Sequence, residues 1–291
     1  MQARQSSHAP AIGPGVTGGP LAHPERPTGQ SQDRNTHVTL LPTSGNEALV
    51  VDPAALTASG ANGFKSHTQY PYVTGTSVLG VTYKDGVLIA CDTLGAYGST
   101  KRYKSFQRLT EVNGSCVVGA GGELSDYQQI CKMLDELATE DFCMDDGHTM
   151  TPSEVFSYLT RVMYARRNKF DPLWNSVVVG GVNPDGTPFL GNVSMIGTNY
   201  TDETIATGFG NHLARPLMRE KHRPDMSEEE AIKLLHECLL VLYYRDKTSI
   251  NKFQVAKVTK DGSSVSEPFS LETKWDYKLF ENPSAKAVGT W

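Results

Sequence analysis

A chain of 291 residues is long enough for one large domain or two small ones, and 38% hydrophobic with 20% charged residues suits a soluble globular protein carrying some unordered sequence. A net charge of −5 and a pI near 5.9 argue against nucleic acid, whose phosphate backbone wants a basic face. No stretch approaches the roughly 18 apolar residues that cross a bilayer, so a membrane is not an expected partner either.

The N-terminus, Met1 to His8, is polar and leads into no hydrophobic run, which speaks against a secretory signal. Residues 1–67 are rich in Pro, Gly, Ser, Gln and His, and their apolar runs, such as Ala48-Leu49-Val50-Val51, are short. Such a segment buries too little surface to offset its ordering entropy and reads as a disordered leader or propeptide. From about Thr74 the pattern changes to paired strands. Ser77–Tyr83 and Val87–Cys91 flank Lys84-Asp85-Gly86, and Leu109–Val112 and Cys116–Val118 flank Asn113-Gly114, a strong hairpin dipeptide. Val177–Val182 and Phe189–Val193 flank Asn183-Pro184-Asp185-Gly186, and Phe253–Thr259 leads into Asp261-Gly262.

Helices are expected between these hairpins. Leu124, Tyr127, Ile130, Cys131, Leu134 and Leu137 recur at helical spacing. Thr151-Pro152-Ser153-Glu154 is a capping box with proline at the first helical position, and Ser227 with Glu230 repeats the signature ahead of Ala231, Leu234, Leu235 and Cys238. A shorter helix is expected after Gly210, limited by Pro216. Short turns make the sheets mainly antiparallel, so a parallel doubly wound fold is disfavoured. The expected class is α+β: two stacked sheets covered by helices on both outer faces. The stretch from Glu272, with Trp275, Tyr277, Phe280 and Trp291, lacks periodicity; its aromatics suit a partner surface or a tail folded back on its own domain.

Other features call for no cofactor. The five cysteines (Cys91, Cys116, Cys131, Cys143, Cys238) contain no CxxC pair and read as reduced, buried thiols of an intracellular protein. The sequons at Asn113, Asn192 and Asn199 are then incidental. In Gly119-Ala120-Gly121-Gly122 the third glycine of a dinucleotide loop would fall on Leu124, and no parallel βαβ unit follows. Asp145, Asp146 and His148 read as a solvated connection, and His212, His222 and His236 lack a matching partner set, so no metal is expected. Glu228-Glu229-Glu230 sits in a first helical turn, where it favours the dipole.

The run Thr74-Gly75-Thr76-Ser77-Val78-Leu79-Gly80, then Asp85-Gly86-Val87-Leu88-Ile89-Ala90-Cys91-Asp92, resembles the opening of beta-type subunits of the 20S proteasome. Val118-Gly119-Ala120-Gly121-Gly122 before a helix, and Tyr243-Tyr244-Arg245-Asp246, fit the same family. Gly95-Ala96-Tyr97-Gly98-Ser99 and Pro172-Leu173-Trp174-Asn175 point to one ring position within it. The resemblance covers roughly residues 68–280. It implies a four-layer α-β-β-α sandwich, the N-terminal nucleophile hydrolase fold, over residues 68–271. The stretch 272–291 becomes a possible inter-subunit arm. The implied partners are other alpha- and beta-type subunits in a large hetero-oligomeric ring stack, and the implied location is cytoplasm and nucleus.

The resemblance also implies a site. Catalytic members use an N-terminal threonine whose freed α-amine serves as base, and the matching junction here is Gly75-Thr76. Asp92 matches the carboxylate that holds a lysine near the threonine hydroxyl, but the lysine's place falls on Arg108, which is bulkier, planar and protonated below a pH of about 12. A buried structural ion pair between Asp92 and Arg108 is expected instead. Gly122 matches the glycine whose N–H stabilises the oxyanion, and Asp246 and Ser249 match further members of the network. Phe209 stands where catalytic members place a serine, and Ile250 replaces a glycine. The leader is expected to be cut between His67 and Thr68, leaving Thr76 acylated by Gly75. The expectation is a non-catalytic subunit with a vestigial site. An active N-terminal-threonine endopeptidase, cut at Gly75-Thr76, is the enzyme alternative, and a free-standing amide hydrolase of the same fold is a third.

Overall fold

Asn113 and Gly114 both adopt positive φ, 47° and 73°, in a tight three-residue connection, 113–115, closed by Val112 opposite Cys116. That turn joins β6 (Leu109–Val112) to β7 (Cys116–Glu123). The computed structural model describes residues 70–276 together with Glu281 and Ser284. The expected leader, His67 and Thr68, and Tyr277, Phe280 and Trp291 lie outside the described residues.

The other three expected hairpins also form: β2 (Val78–Tyr83) with β3 (Gly86–Asp92), β8 (Asn175–Val182) with β9 (Pro188–Val193), and β12 (Phe253–Thr259) with β13 (Gly262–Val265). Five short strands join them: β1 (Val73–Gly75), β4 (Gly95–Tyr97), β5 (Thr100–Tyr103), β10 (Asn199–Thr201) and β11 (Thr204–Ala206). One sheet runs β10-β9-β8-β7-β1-β4-β5 with β6 beside β7, and the other runs β11-β2-β3-β12-β13. Every pairing is antiparallel.

The helices are α1 (Leu124–Met144), α2 (Pro152–Asn168), α3 (Gly210–Leu213), α4 (Arg215–Lys221) and α5 (Glu228–Arg245). Both expected capping boxes are made, by Thr151 with Glu154 and by Ser227 with Glu230. Each satisfies two backbone donors that a helix start leaves without partners. Pro216 corrects one expectation. The helix after Gly210 already ends at Leu213, and Pro216 stands in the first turn of α4, where its missing N–H costs nothing.

Three apolar clusters define the layers. Ile130, Leu134, Val155 and Leu159 of α1 and α2 pack on Val118, Val177 and Val179 of the first sheet. Leu234, Leu235, Cys238 and Leu239 of α5 pack on Leu79, Val81 and Leu88 of the second. Between the sheets lie Val78, Val87, Ile89, Val117, Val178 and Val258. The result is the four-layer α-β-β-α sandwich, and β3 is buried at every residue because both its faces are covered. Cys91, Cys116 and Cys238 are buried free thiols, and burial pushes them up to about 11, 12 and 12 respectively. Cys143 corrects the expectation of burial: it lies exposed in the last turn of α1, whose apolar stripe has already ended.

Candidate functional site

The chain ahead of Thr76 is built into the first sheet. β1 pairs on one side with β7, Thr74 opposite Glu123 and Gly75 opposite Gly122, and on the other with β4, Val73 opposite Tyr97 and Thr74 opposite Ala96. Glu123 sets where this strand enters. It caps α1, and its carboxylate accepts the N–H groups of Tyr72 and Val73 (3.2 Å for Val73) and the hydroxyl of Ser125 at 3.0 Å. Sequence reasoning misses Glu123; its only sequence signal is a carboxylate just before a helix start, a position better known for shorter side chains.

Arg108 holds the next residues. Its side chain is completely buried, and Nε donates to the Asp92 carbonyl at 3.0 Å. Nη1 donates to the carbonyls of Thr76 at 2.6 Å and Ala120 at 3.4 Å, while Nη2 donates to the Ser77 carbonyl and to Asp92 Oδ1, both at 2.9 Å. A guanidinium has five N–H groups, so these acceptors take all of them. Asp92 Oδ2 accepts the Ile250 N–H at 3.1 Å. Burial pushes the Asp92 carboxyl up to about 6, against the opposing pull of Arg108 and of the Ile250 N–H. The guanidinium 2.9 Å from Oδ1 and the Ile250 N–H on Oδ2 are the contacts that favour its ionised form. Arg108 also explains Gly75: a Cβ there would stand 2.6 Å from both Arg108 Cδ and Nη1.

The Thr76 hydroxyl donates to Asp246 Oδ2, while the arginine takes the Thr76 carbonyl. The other oxygen of Asp246 accepts the N–H and hydroxyl of Thr248 at 2.8 and 2.7 Å, which fixes the carboxylate at the end of α5. Ser249 is buried. Its N–H donates to the Asp246 carbonyl at 3.2 Å and its carbonyl accepts Lys101 Nζ at 2.8 Å. Thr76, Asp92, Arg108, Asp246 and Ser249 thus form one connected group. Gly122 and Phe209 line the cleft onto which Thr76 opens. Gly122 has φ +96°, and a Cβ would meet the Trp174 carbonyl at 2.0 Å, so packing alone demands glycine there. Phe209 stands at the N-terminus of α3, is 58% exposed and makes no side-chain cap.

The remaining candidates stay apart from this group. Asp146 accepts the His148 N–H and His148 meets Glu154 at 3.2 Å in the exposed connection before α2. Among the described residues no cluster of His, Cys, Asp or Glu could hold a metal ion. The C-terminal stretch folds back as far as it is described. Phe269 pairs with Phe253, Asn251 clamps Leu271 through both amide atoms, and the Lys274 N–H donates to the Tyr244 hydroxyl at 2.8 Å. Trp275 then stands edge-on to Tyr243 and Tyr244, with centroids 5.9 and 5.0 Å apart.

Known proteins share this arrangement of sequence. The family described as "Proteasome subunit" matches residues 72–258. A proteasome subunit beta type-4 from Arabidopsis thaliana is 53% identical over 224 residues, covering 77% of this chain and 91% of the relative. The beta type-4 subunit of Xenopus laevis is 47% identical over 212 residues, covering 72% of this chain and 87% of the relative. A subunit of Saccharomyces cerevisiae, there called beta type-7, is 40% identical over 222 residues, covering 72% and 84%. With the sandwich, the Gly75-Thr76 junction and this degree of identity in hand, the chain belongs to the proteasome subunit family, among its beta-type members.

Proposed function

We propose that this chain is a non-catalytic structural subunit of the proteasome core, shaping the chamber and holding neighbouring subunits for intracellular protein degradation while cutting nothing itself. The observation that carries this reading is the commitment of Arg108. A group that assists a threonine nucleophile must approach its hydroxyl, yet every N–H of Arg108 is spent on Asp92 and on main-chain carbonyls. It has no acceptor atom and does not deprotonate, so it can take no proton. The paired strand ahead of Thr76 supports the same reading, because a nitrogen acylated by Gly75 is an amide without useful basicity. Phe209 adds no hydrogen bond that could orient an amine there. On this reading the threonine-protease site is vestigial.

A covalent inhibitor directed at N-terminal threonines tests it. Applied to the purified particle, the inhibitor should label catalytic neighbours and leave this chain unmodified; an adduct on Thr76 would establish the endopeptidase alternative, with cleavage at Gly75-Thr76.

The work of such a subunit is binding. Other alpha- and beta-type subunits in a ring stack are the proposed partners, through large obligate interfaces that resemble a core cut in half, and the chain would act in cytoplasm and nucleus. Gel filtration should place it in a very large particle, whereas a free-standing hydrolase would elute near its own mass. Beyond Lys274 the chain is proposed to reach between neighbours. Truncation after Lys274 removes the Trp275 contacts, which are worth about 0.5–1.5 kcal/mol per aromatic pair. It should therefore leave the domain folded but impair the joining of half-chambers; normal assembly of the truncated chain would sink the arm.

A further inference from the structure

The chain ahead of Thr76 is tied down from a definite residue onward. Oε2 of Glu123 accepts the N–H groups of Tyr72 and Val73, the latter at 3.2 Å. Its Oε1 accepts the Ser125 hydroxyl at 3.0 Å at the start of α1, where a negative charge also suits the helix dipole. One buried carboxylate thus joins the start of a helix to main chain 50 residues before it. Tyr72 is held a second time: its ring stacks on Tyr97 with centroids 6.3 Å apart, and Arg102 lies over the same Tyr97 ring at 5.9 Å. Immediately upstream, Tyr70 and Pro71 are exposed.

That order matters for removal of the leader. Hydrolysis adds water across a peptide bond, leaving a carboxyl end on the released leader and an amine on the retained chain. A peptidase cleft grips several residues on each side of the bond it cuts, and it takes them extended and free of other pairing. The bonds from Tyr72 to Thr76 meet that condition only after β1 leaves β4 and β7, and the strand can peel from its entry only once Glu123 lets go. A strand of three residues is short, so the tie at its entry is a large part of its resistance to fraying. The expected junction His67-Thr68 leaves four residues, Thr68 to Pro71, ahead of the first tied N–H.

We propose that Glu123 is a processing clamp: by holding the N–H groups of Tyr72 and Val73 it stops removal of the leader upstream of Tyr72 and keeps the Gly75-Thr76 bond out of a peptidase's reach. Glu123 is a positioning residue and touches no reacting atom. The assignment deepens the structural reading above and rests on its expectation that the leader is cut ahead of Thr76.

The test is limited digestion of the full-length chain by subtilisin, a peptidase of broad specificity, with the products read by intact mass. In the parent, the trimmed chain should begin at or before Tyr72. Glu123→Ser keeps a preferred helix cap at the start of α1, but its hydroxyl is too short to hold Tyr72 and Val73. Products beginning between Val73 and Thr76 should then form roughly ten- to hundredfold faster, because the loss of hydrogen bonds to a charged group enlarges the open population that the peptidase cuts. Ser125→Ala removes the hydroxyl at the helix start while leaving both tied N–H groups, and should be digested like the parent. Three results would overturn the clamp: equal digestion of Glu123→Ser and the parent, the same acceleration in Ser125→Ala, or acceleration spread evenly over the whole domain, which marks a general loss of stability. The structural reading is judged separately, by the mass of the subunit in the purified particle, so either can fail without the other.

Discussion

Replacing Arg108 with alanine should destabilise the fold by about 3–5 kcal/mol, because it leaves Asp92 as a buried charge without its partner. Four main-chain carbonyls, those of Thr76, Ser77, Asp92 and Ala120, lose a donor at the same stroke. The loss should depend on pH with a definite sign. Without the guanidinium, the folded-state pKa of Asp92 rises further above its unfolded value. The folded variant then binds more protons than the unfolded chain, so its stability falls as pH rises through that window. Denaturation at pH 5 and pH 8 should show the larger penalty at pH 8. Arg108→Lys keeps the charge but offers three donors for five acceptors, and should cost about 1–3 kcal/mol. On the proposed processing upstream of Thr76, which leaves its nitrogen an amide, it should not create peptidase activity. Equal stability of the alanine variant and the parent would show that the pair is not structural.

Gly75→Ala is expected to cost about 1–3 kcal/mol by overpacking a side chain that cannot move aside. The far end of an arginine usually yields to a new methyl group. Here all of its N–H groups are tied, so relief of the 2.6 Å approach would break hydrogen bonds. The effect should therefore vanish when Arg108 is also alanine. A double-mutant cycle measured by chemical denaturation reads this directly as a coupling energy between the two sites. A cost for Gly75→Ala that persisted without Arg108 would place the constraint elsewhere. The outcome bears on function as well as stability: it would show that glycine is needed before Thr76 for packing, with no reference to cleavage.

The sequence carries some of this and hides the rest, for physical reasons. The four hairpins are legible because each is set by a local turn and flanking apolar runs, as at Asn113-Gly114. The capped helices are legible because a box such as Ser227 with Glu230 spans four residues. The strands β1, β4, β5, β10 and β11 are not, since three or four residues show no period and their pairing depends on partners elsewhere in the sheet. In the site, the positions of Asp92 and Arg108 can be found from the family pattern and their opposite charges. The tie of Gly75 to Arg108, the clamp of Glu123 on Tyr72 and Val73, and the fold-back of Trp275 come only from tertiary contact. Cys143 and Pro216 fail for a related reason: burial and helix breaks depend on where an apolar face ends, which composition does not state.

The central claim is that Thr76 never carries a free α-amine. The most direct measurement is the intact mass of this subunit released from the purified particle. A mass that begins at Thr68, or elsewhere upstream of Thr76, is the predicted result and leaves the threonine nitrogen an amide. A mass that begins at Thr76 would contradict the account, because the junction would then be cut and the amine exposed.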